Sequence, residues 1–180
     1  MAREFPTVRD LLYWEYAKLI AGSATGSRAE YRFVSYTYGR LRAATANPSG
    51  IVLENKLLFK EGQVCAYCGA RHSLEWDHVI PLAIGGPDTI DNLVRACRRC
   101  NASKGARDPY QWLLERPGSE VPRIVLGKLL KLLFEAYDRR GLLDSTDFMK
   151  AHAVQRTSLS KIFREVTGSG EASDPGVNVA

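Results

Sequence analysis

Two Cys-x-x-Cys pairs, Cys65/Cys68 and Cys97/Cys100, hold all the cysteine in the chain. A Cys-x-x-Cys turn sets two thiolates on one side of an ion. A second turn completes a tetrahedron of soft ligands, so the spacing predicts a structural zinc site. A redox pair would call for a βαβ setting, which the surrounding sequence lacks. With every zinc corner taken by sulfur, no position stays open for water, and any chemistry needs other ligands. Asp77 and Asn101 offer a carboxylate and an amide oxygen, hard donors suited to Mg²⁺. His78 is of the side-chain type that exchanges a proton near neutral pH. Together they are equipment for metal-assisted phosphodiester hydrolysis.

The elements that must position these groups are short. Residues 74–80 read as a strand ended by Pro81, residues 85–88 as a Gly-Gly-Pro-Asp turn, and residues 89–96 as a loop with a second strand. A helix is expected to open at Cys100. The order is strand, turn, strand, helix, pinned at both ends by zinc. Gly69 fits a tight knuckle after the first pair. Adjacent on a strand, Asp77 and His78 point to opposite faces. Trp76 is expected to pack beneath the zinc site, and His72 to be a solvent-facing loop histidine. Arg95, Arg98, Arg99, Lys104 and Arg107 make the following stretch basic. Arg98, Arg99 and Lys104 are the candidates for holding phosphates, which would position a strand without reading its sequence.

These motifs in this order resemble the HNH endonuclease family in its four-cysteine, zinc-bearing form: Cys65-x-x-Cys68, Asp77-His78-Val79-Ile80-Pro81, Gly85-Gly86, Asp91-Asn92-Leu93 and Cys97-x-x-Cys100-Asn101-x-x-Lys104. The resemblance covers residues 65–104. It implies a ββα-metal fold and hydrolysis of DNA. His78 would be the general base, Asp77 and Asn101 the ligands of a catalytic Mg²⁺ or Mn²⁺, and Asn92 the residue that steadies the loop and orients the base. An amide oxygen in place of a second imidazole argues for these hard ions over catalytic zinc.

The flanks read as helical. Residues 7–21 form an amphipathic helix with Thr7 as N-cap, broken at residues 22–26 (Gly-Ser-Ala-Thr-Gly). Residues 28–46 form a second helix, with a strand reading also open, and residues 49–60 a third. Arg28, Arg32, Arg40 and Arg42 could track phosphates or face solvent. A long helix spans residues 121–140 and stops at Gly141; its leucine stripe is core packing or the seam of a homodimer. Two short helices at residues 145–154 and 158–166 precede a disordered tail. The expected division is 1–60, 61–109, 110–168 and 169–180, an α+β protein with a small ββα core between helical regions.

Composition is that of an ordinary globular chain: 180 residues, 45% hydrophobic, 25% charged and a net charge of +5. The mild basic excess suits DNA or another polyanion. No secretory h-region or membrane-length apolar run is seen, so a cytoplasmic setting with reduced thiols and no membrane partner is expected. The alternative is a zinc-bearing nucleic-acid or protein-interaction module that does not cut. Such a module would need the cysteines but not Asp77, His78 and Asn101 together. A zinc deaminase would need an open zinc corner, which four sulfurs deny.

Overall fold

The computed structural model describes residues 3–44, 63–115 and 120–164. The expected third helix and the tail lie outside the described residues. Helix α1 spans Val8–Thr25, with the Thr7 hydroxyl accepting from the Asp10 N–H. It overruns its expected end at Ala21. The hydroxyls of Ser23 and Thr25 donate back to the carbonyls of Leu19 and Ala21, at 3.0 and 2.9 Å, and carry the helix through the small residues. Gly26, left-handed at φ 77°, ends it instead.

Helix α2 is Tyr31–Arg42, which rules out the strand reading and is shorter than expected. Arg28 stays outside because its guanidinium turns away to donate to the Val121 carbonyl at 2.8 Å. Val34, Tyr38 and Leu41 bury against α1, and the Tyr38 hydroxyl donates to buried Asp10.

The central segment contains strands β1, Leu74–His78, and β2, Leu93–Cys97. They pair antiparallel with Leu74 opposite Cys97, Trp76 opposite Arg95 and His78 opposite Leu93. Single turns of 3₁₀ helix at Leu82–Ile84 and Ile90–Asn92 shape the connection. Helix α3, Arg98–Lys104, follows β2 directly. It starts before Cys100, because Cys97 already serves as its N-cap residue. Strand–strand–helix is thus the architecture of this segment, and the whole is α+β.

Helices α4 (Pro109–Leu114), α5 (Arg123–Arg139), α6 (Thr146–Ala151) and α7 (Lys161–Arg164) complete the described chain. Asp108 caps α4 by accepting from the N–H groups of Tyr110 and Gln111, and also accepts from the Ser160 hydroxyl. Leu129, Leu132 and Leu133 of α5 are buried in one core that runs from α1 to α7. The leucine stripe is therefore internal packing, and the homodimer it suggested has no support from this face.

This helical body grips the central segment from two sides. From α5, Lys128 donates to the Ile90 carbonyl at 3.0 Å and Lys131 pairs with Asp91 at 2.8 Å. From α4, buried Trp112 meets the edge of the Tyr67 ring and donates to Ser103. Gly85 passes so close to α7 that a Cβ there would stand 2.4 Å from the Phe163 carbonyl oxygen. None of the described helices is long and apolar enough to cross a membrane.

Candidate metal and hydrolytic site

The cysteine knuckle is built by the backbone. Cys65 N–H donates to Ala70 O and Gly69 N–H to Cys65 O, with Gly69 at φ 75°, which brings Cys68 round beside Cys65. Ala66 N–H donates to Arg95 O and so fastens the knuckle to β2, where Cys97 stands. The Sγ atoms of Cys65, Cys68, Cys97 and Cys100 all lie within 4.8 Å of one another, and those of Cys68 and Cys97 are 3.7 Å apart. Sulfurs at the corners of a zinc tetrahedron stand about 3.8 Å apart, given Zn–S bonds of about 2.3 Å. The four residues fit zinc. The Cys100 backbone N–H at the start of α3 draws the Cys97 thiol down to about 7, toward the thiolate that a metal requires.

On β1 the alternation separates the candidate residues. Asp77 is buried on the face that α3 covers, while His78 is part-exposed on the other. His78 Nε2 lies 2.9 Å from Asp88 Oδ1, from the turn. A carboxylate can only accept, so Nε2 is the donor of this pair.

Asn92 is fully buried and spans the connection. Its Oδ1 accepts from Ile80 N–H, and its Nδ2 donates to the carbonyls of Ile80 and Pro87, each at 2.8 Å. Gly86 belongs to the same knot, since a Cβ there would fall 2.0 Å from Ile80 O. Asn92→Ala leaves two carbonyls and one N–H without partners. The expected cost is about 3 kcal/mol, seen as a lower midpoint in denaturant melts of the zinc-loaded protein.

Asn101 and Lys104 stand one turn apart on the face of α3 toward β1. Asn101 Nδ2 donates to Glu75 Oε1 at 2.8 Å, which leaves its Oδ1 as the acceptor a hard cation needs. Lys104 departs from expectation. It is 1% exposed, with its ammonium bonded to Asp77 Oδ1 at 2.9 Å and to the His78 carbonyl at 2.8 Å. It cannot hold a phosphate at the surface, because α3 packs it inward against the buried carboxylate. The Tyr67 hydroxyl occupies the other Asp77 oxygen at 2.5 Å. Burial, and then the Asp77 charge, hold the Tyr67 phenol well above its usual range, so it remains a donor.

The Lys104 ammonium sits between Asp77 and the β1 backbone. A carboxylate and an amide oxygen are donors of the type a hard divalent ion takes, and such an ion would have to take Asp77 over from Lys104. Among the described residues no other group of three His, Cys, Asp or Glu side chains converges besides the cysteines. An ion at Asp77 would have few protein ligands and keep its waters, the habit of Mg²⁺. Lys104→Met, which strands the carboxylate, is expected to cost about 3–5 kcal/mol in urea melts without added divalent ion.

Arg98 and Arg99 are exposed at the start of α3, and His72 is exposed in its loop. Trp76 does not pack beneath the zinc site. It is 48% exposed, with the Arg95 guanidinium 4.7 Å from its ring centroid, because β1 turns it to the solvent side with His78. Sequence reasoning missed Glu75, Tyr67 and Asp88 as the partners of Asn101, Asp77 and His78. Of these, only Glu75 carried a signal, as the other residue on the Asp77 face of β1.

Residues 65–107 match the family model of the HNH endonucleases. A curated relative, the CRISPR-associated endonuclease Cas9 of Corynebacterium diphtheriae, is 49% identical over 45 residues. That stretch is 23% of this chain and 4% of the Cas9 chain, so the likeness spans one small part of that protein. No solved structure matches the chain. In motif, in strand–strand–helix architecture and in comparison, residues 65–107 are an HNH endonuclease domain.

Proposed function

We propose that the protein is a divalent-metal-dependent endonuclease that hydrolyses DNA phosphodiester bonds at the HNH domain. The observation that carries this reading is one junction. His78, on the open face of β1, adjoins Asp77, on the covered face, and α3 brings Asn101 against that covered face. His78 is the general base: Asp88 orients its ring and stabilises the imidazolium that forms when Nδ1 takes a proton from water. Asp77 and Asn101 would hold the divalent ion, and Glu75 fixes the Asn101 amide by accepting from its Nδ2, which leaves the amide oxygen as a donor for that ion. When bound, the ion supplies charge stabilisation to the phosphate under attack. Exposed Arg98 and Arg99 hold the flanking phosphates.

A second reading has one observation in its favour. Both Asp77 oxygens already have partners, Lys104 and Tyr67, so the site is a satisfied polar core as it stands. That would suit a zinc-bearing module that binds without cutting. Incubation of the zinc-loaded protein with supercoiled plasmid and Mg²⁺ or Mn²⁺ separates the two. Nicked or linear product that depends on the added ion supports the endonuclease. DNA binding with no product under either ion supports the module.

A further inference from the structure

We propose that Lys128 and Lys131 of α5 are positioning residues for the hydrolytic site: they hold the turn that carries Asp88, and through Asp88 they set the ring of His78. The proposal rests on the nuclease reading of this site and gives the helical flank a task in it. Asp88 lies in the connection between β1 and β2, and its Oδ1 stands 2.9 Å from His78 Nε2. Its side chain is 78% exposed. A carboxylate so open to water is not fixed by packing, so its place against the imidazole follows from the backbone beneath it.

That backbone is fastened on both sides by helices outside the HNH domain. Lys128 Nζ donates to the carbonyls of Ile90 and Asp91, at 3.0 and 3.4 Å, and Lys131 Nζ bonds the Asp91 carboxylate at 2.8 Å. On the other side, Gly85 packs on the Phe163 carbonyl of α7 too closely for a Cβ. Asp88 falls between the two holds, three residues after Gly85 and two before Ile90. Within the domain, Asn92 adds a bond to the carbonyl of Pro87, the neighbour of Asp88. Lys128 is 6% exposed, and burial draws its ammonium below the usual lysine range. An apolar side chain would be buried there without that penalty, but it could not bond the two carbonyls. A grip on main-chain oxygens fixes the path of the turn whatever its side chains are. Lys128 does not touch the reacting atoms; it acts on them through Asp88 and His78.

The test uses the full zinc-loaded chain with supercoiled plasmid and Mg²⁺, and compares the parent with Lys128→Met, Asp88→Ala and the double variant. Methionine keeps the buried stem and removes the donor. Lys128→Met is expected to lower kcat roughly tenfold with KM unchanged, because a small displacement of a catalytic group slows the reaction without weakening binding. In the Asp88→Ala background the same substitution should cause no further loss, since the link it acts through is already gone. Hydrogen–deuterium exchange supplies a readout that needs no cutting. Backbone amides of residues 86–91 should exchange faster in Lys128→Met, while those of the cysteine knuckle keep the parent rate. Losses that multiply in the double variant, a raised KM at unchanged kcat, or parent-like exchange at residues 86–91 each overturn the proposal. If Lys128→Met does not retain zinc, Lys131→Met, at a part-exposed pair, takes its place in the same comparison and is judged by the same outcomes. A parent protein that cuts no plasmid strikes at the nuclease reading, and the exchange measurement then decides whether α5 holds the turn. An active parent matched in rate by Lys128→Met overturns the positioning role alone.

Discussion

Alanine at position 78 is expected to lower the rate of metal-dependent plasmid cleavage by about 10²–10⁴-fold, the range a positioned general base contributes. The fold should not pay for the change. His78 is part-exposed, and the contact its side chain loses is to Asp88, itself 78% exposed. The backbone carbonyl of His78 keeps its bond to Lys104 whatever the side chain. Zinc content and melting midpoint should therefore match the parent while the rate collapses. Asp88→Asn is a graded companion. It keeps a hydrogen-bond acceptor for Nε2 but removes the charge that stabilises the imidazolium, so a smaller fall in rate is expected. Cleavage by His78→Ala at the parent rate would remove His78 from the role of base. A parallel loss of zinc would instead mean that the residue is structural.

Removal of zinc, by a strong chelator or by Cys97→Ser, is expected to unfold residues 63–107. A structural zinc site contributes on the order of 10 kcal/mol in isolated fingers. A whole domain is stable by only about 5–15 kcal/mol. The sheet, two strands of five residues each, is too small to replace that contribution, and the contacts with the helices depend on the segment already being folded. Cys97 is the informative position because it ends β2, pairs with Leu74 at the start of β1 and serves as the N-cap residue of α3. Without the ion, four thiolates within 4.8 Å of one another repel and must separate or take up protons. The loss should reach the hydrolytic side, because Ala66 anchors to Arg95 and Tyr67 anchors both Asp77 and Trp112. The measurements are one zinc per chain by metal analysis and, after chelation, new protease cuts between residues 63 and 107. A zinc-free protein that keeps its circular dichroism and its protease resistance would refute a structural role for the ion.

The helical flanks and the central segment were legible to different degrees. The first helix shows the limit of local punctuation. Small residues at 22–25 signal a break, yet two hydroxyls bonded to carbonyls one turn back continue the helix to Gly26. The leucines of α5 show another limit. Their spacing predicts an apolar face but not what covers it, and within this chain the covering partner is α1.

The order of the cysteines, of the Asp-His pair and of the two asparagines was enough to predict the four-cysteine cluster and the strand–strand–helix core. Ligand spacing in a Cys-x-x-Cys knuckle and alternation along a strand are short-range properties, set by a few neighbouring residues. What each charged side chain does was decided by tertiary packing. Lys104 and Trp76 exchanged their expected places: the lysine went under α3 to meet Asp77, and the tryptophan went out to meet Arg95. Their partners lie 19 to 27 residues away in the chain, and a buried ammonium such as that of Lys104 is tolerated only where packing supplies acceptors for it, here Asp77 and the His78 carbonyl. The same holds for the links from Asn101 to Glu75, from His78 to Asp88 and from Lys131 to Asp91, which exist only once α3, the turn and α5 have docked. The sequence by itself determined which residues are present for chemistry. The tertiary structure decided which of them meet, because these partners are brought together only when the elements dock, and a pair such as Lys104–Asp77 is desolvated only by that packing.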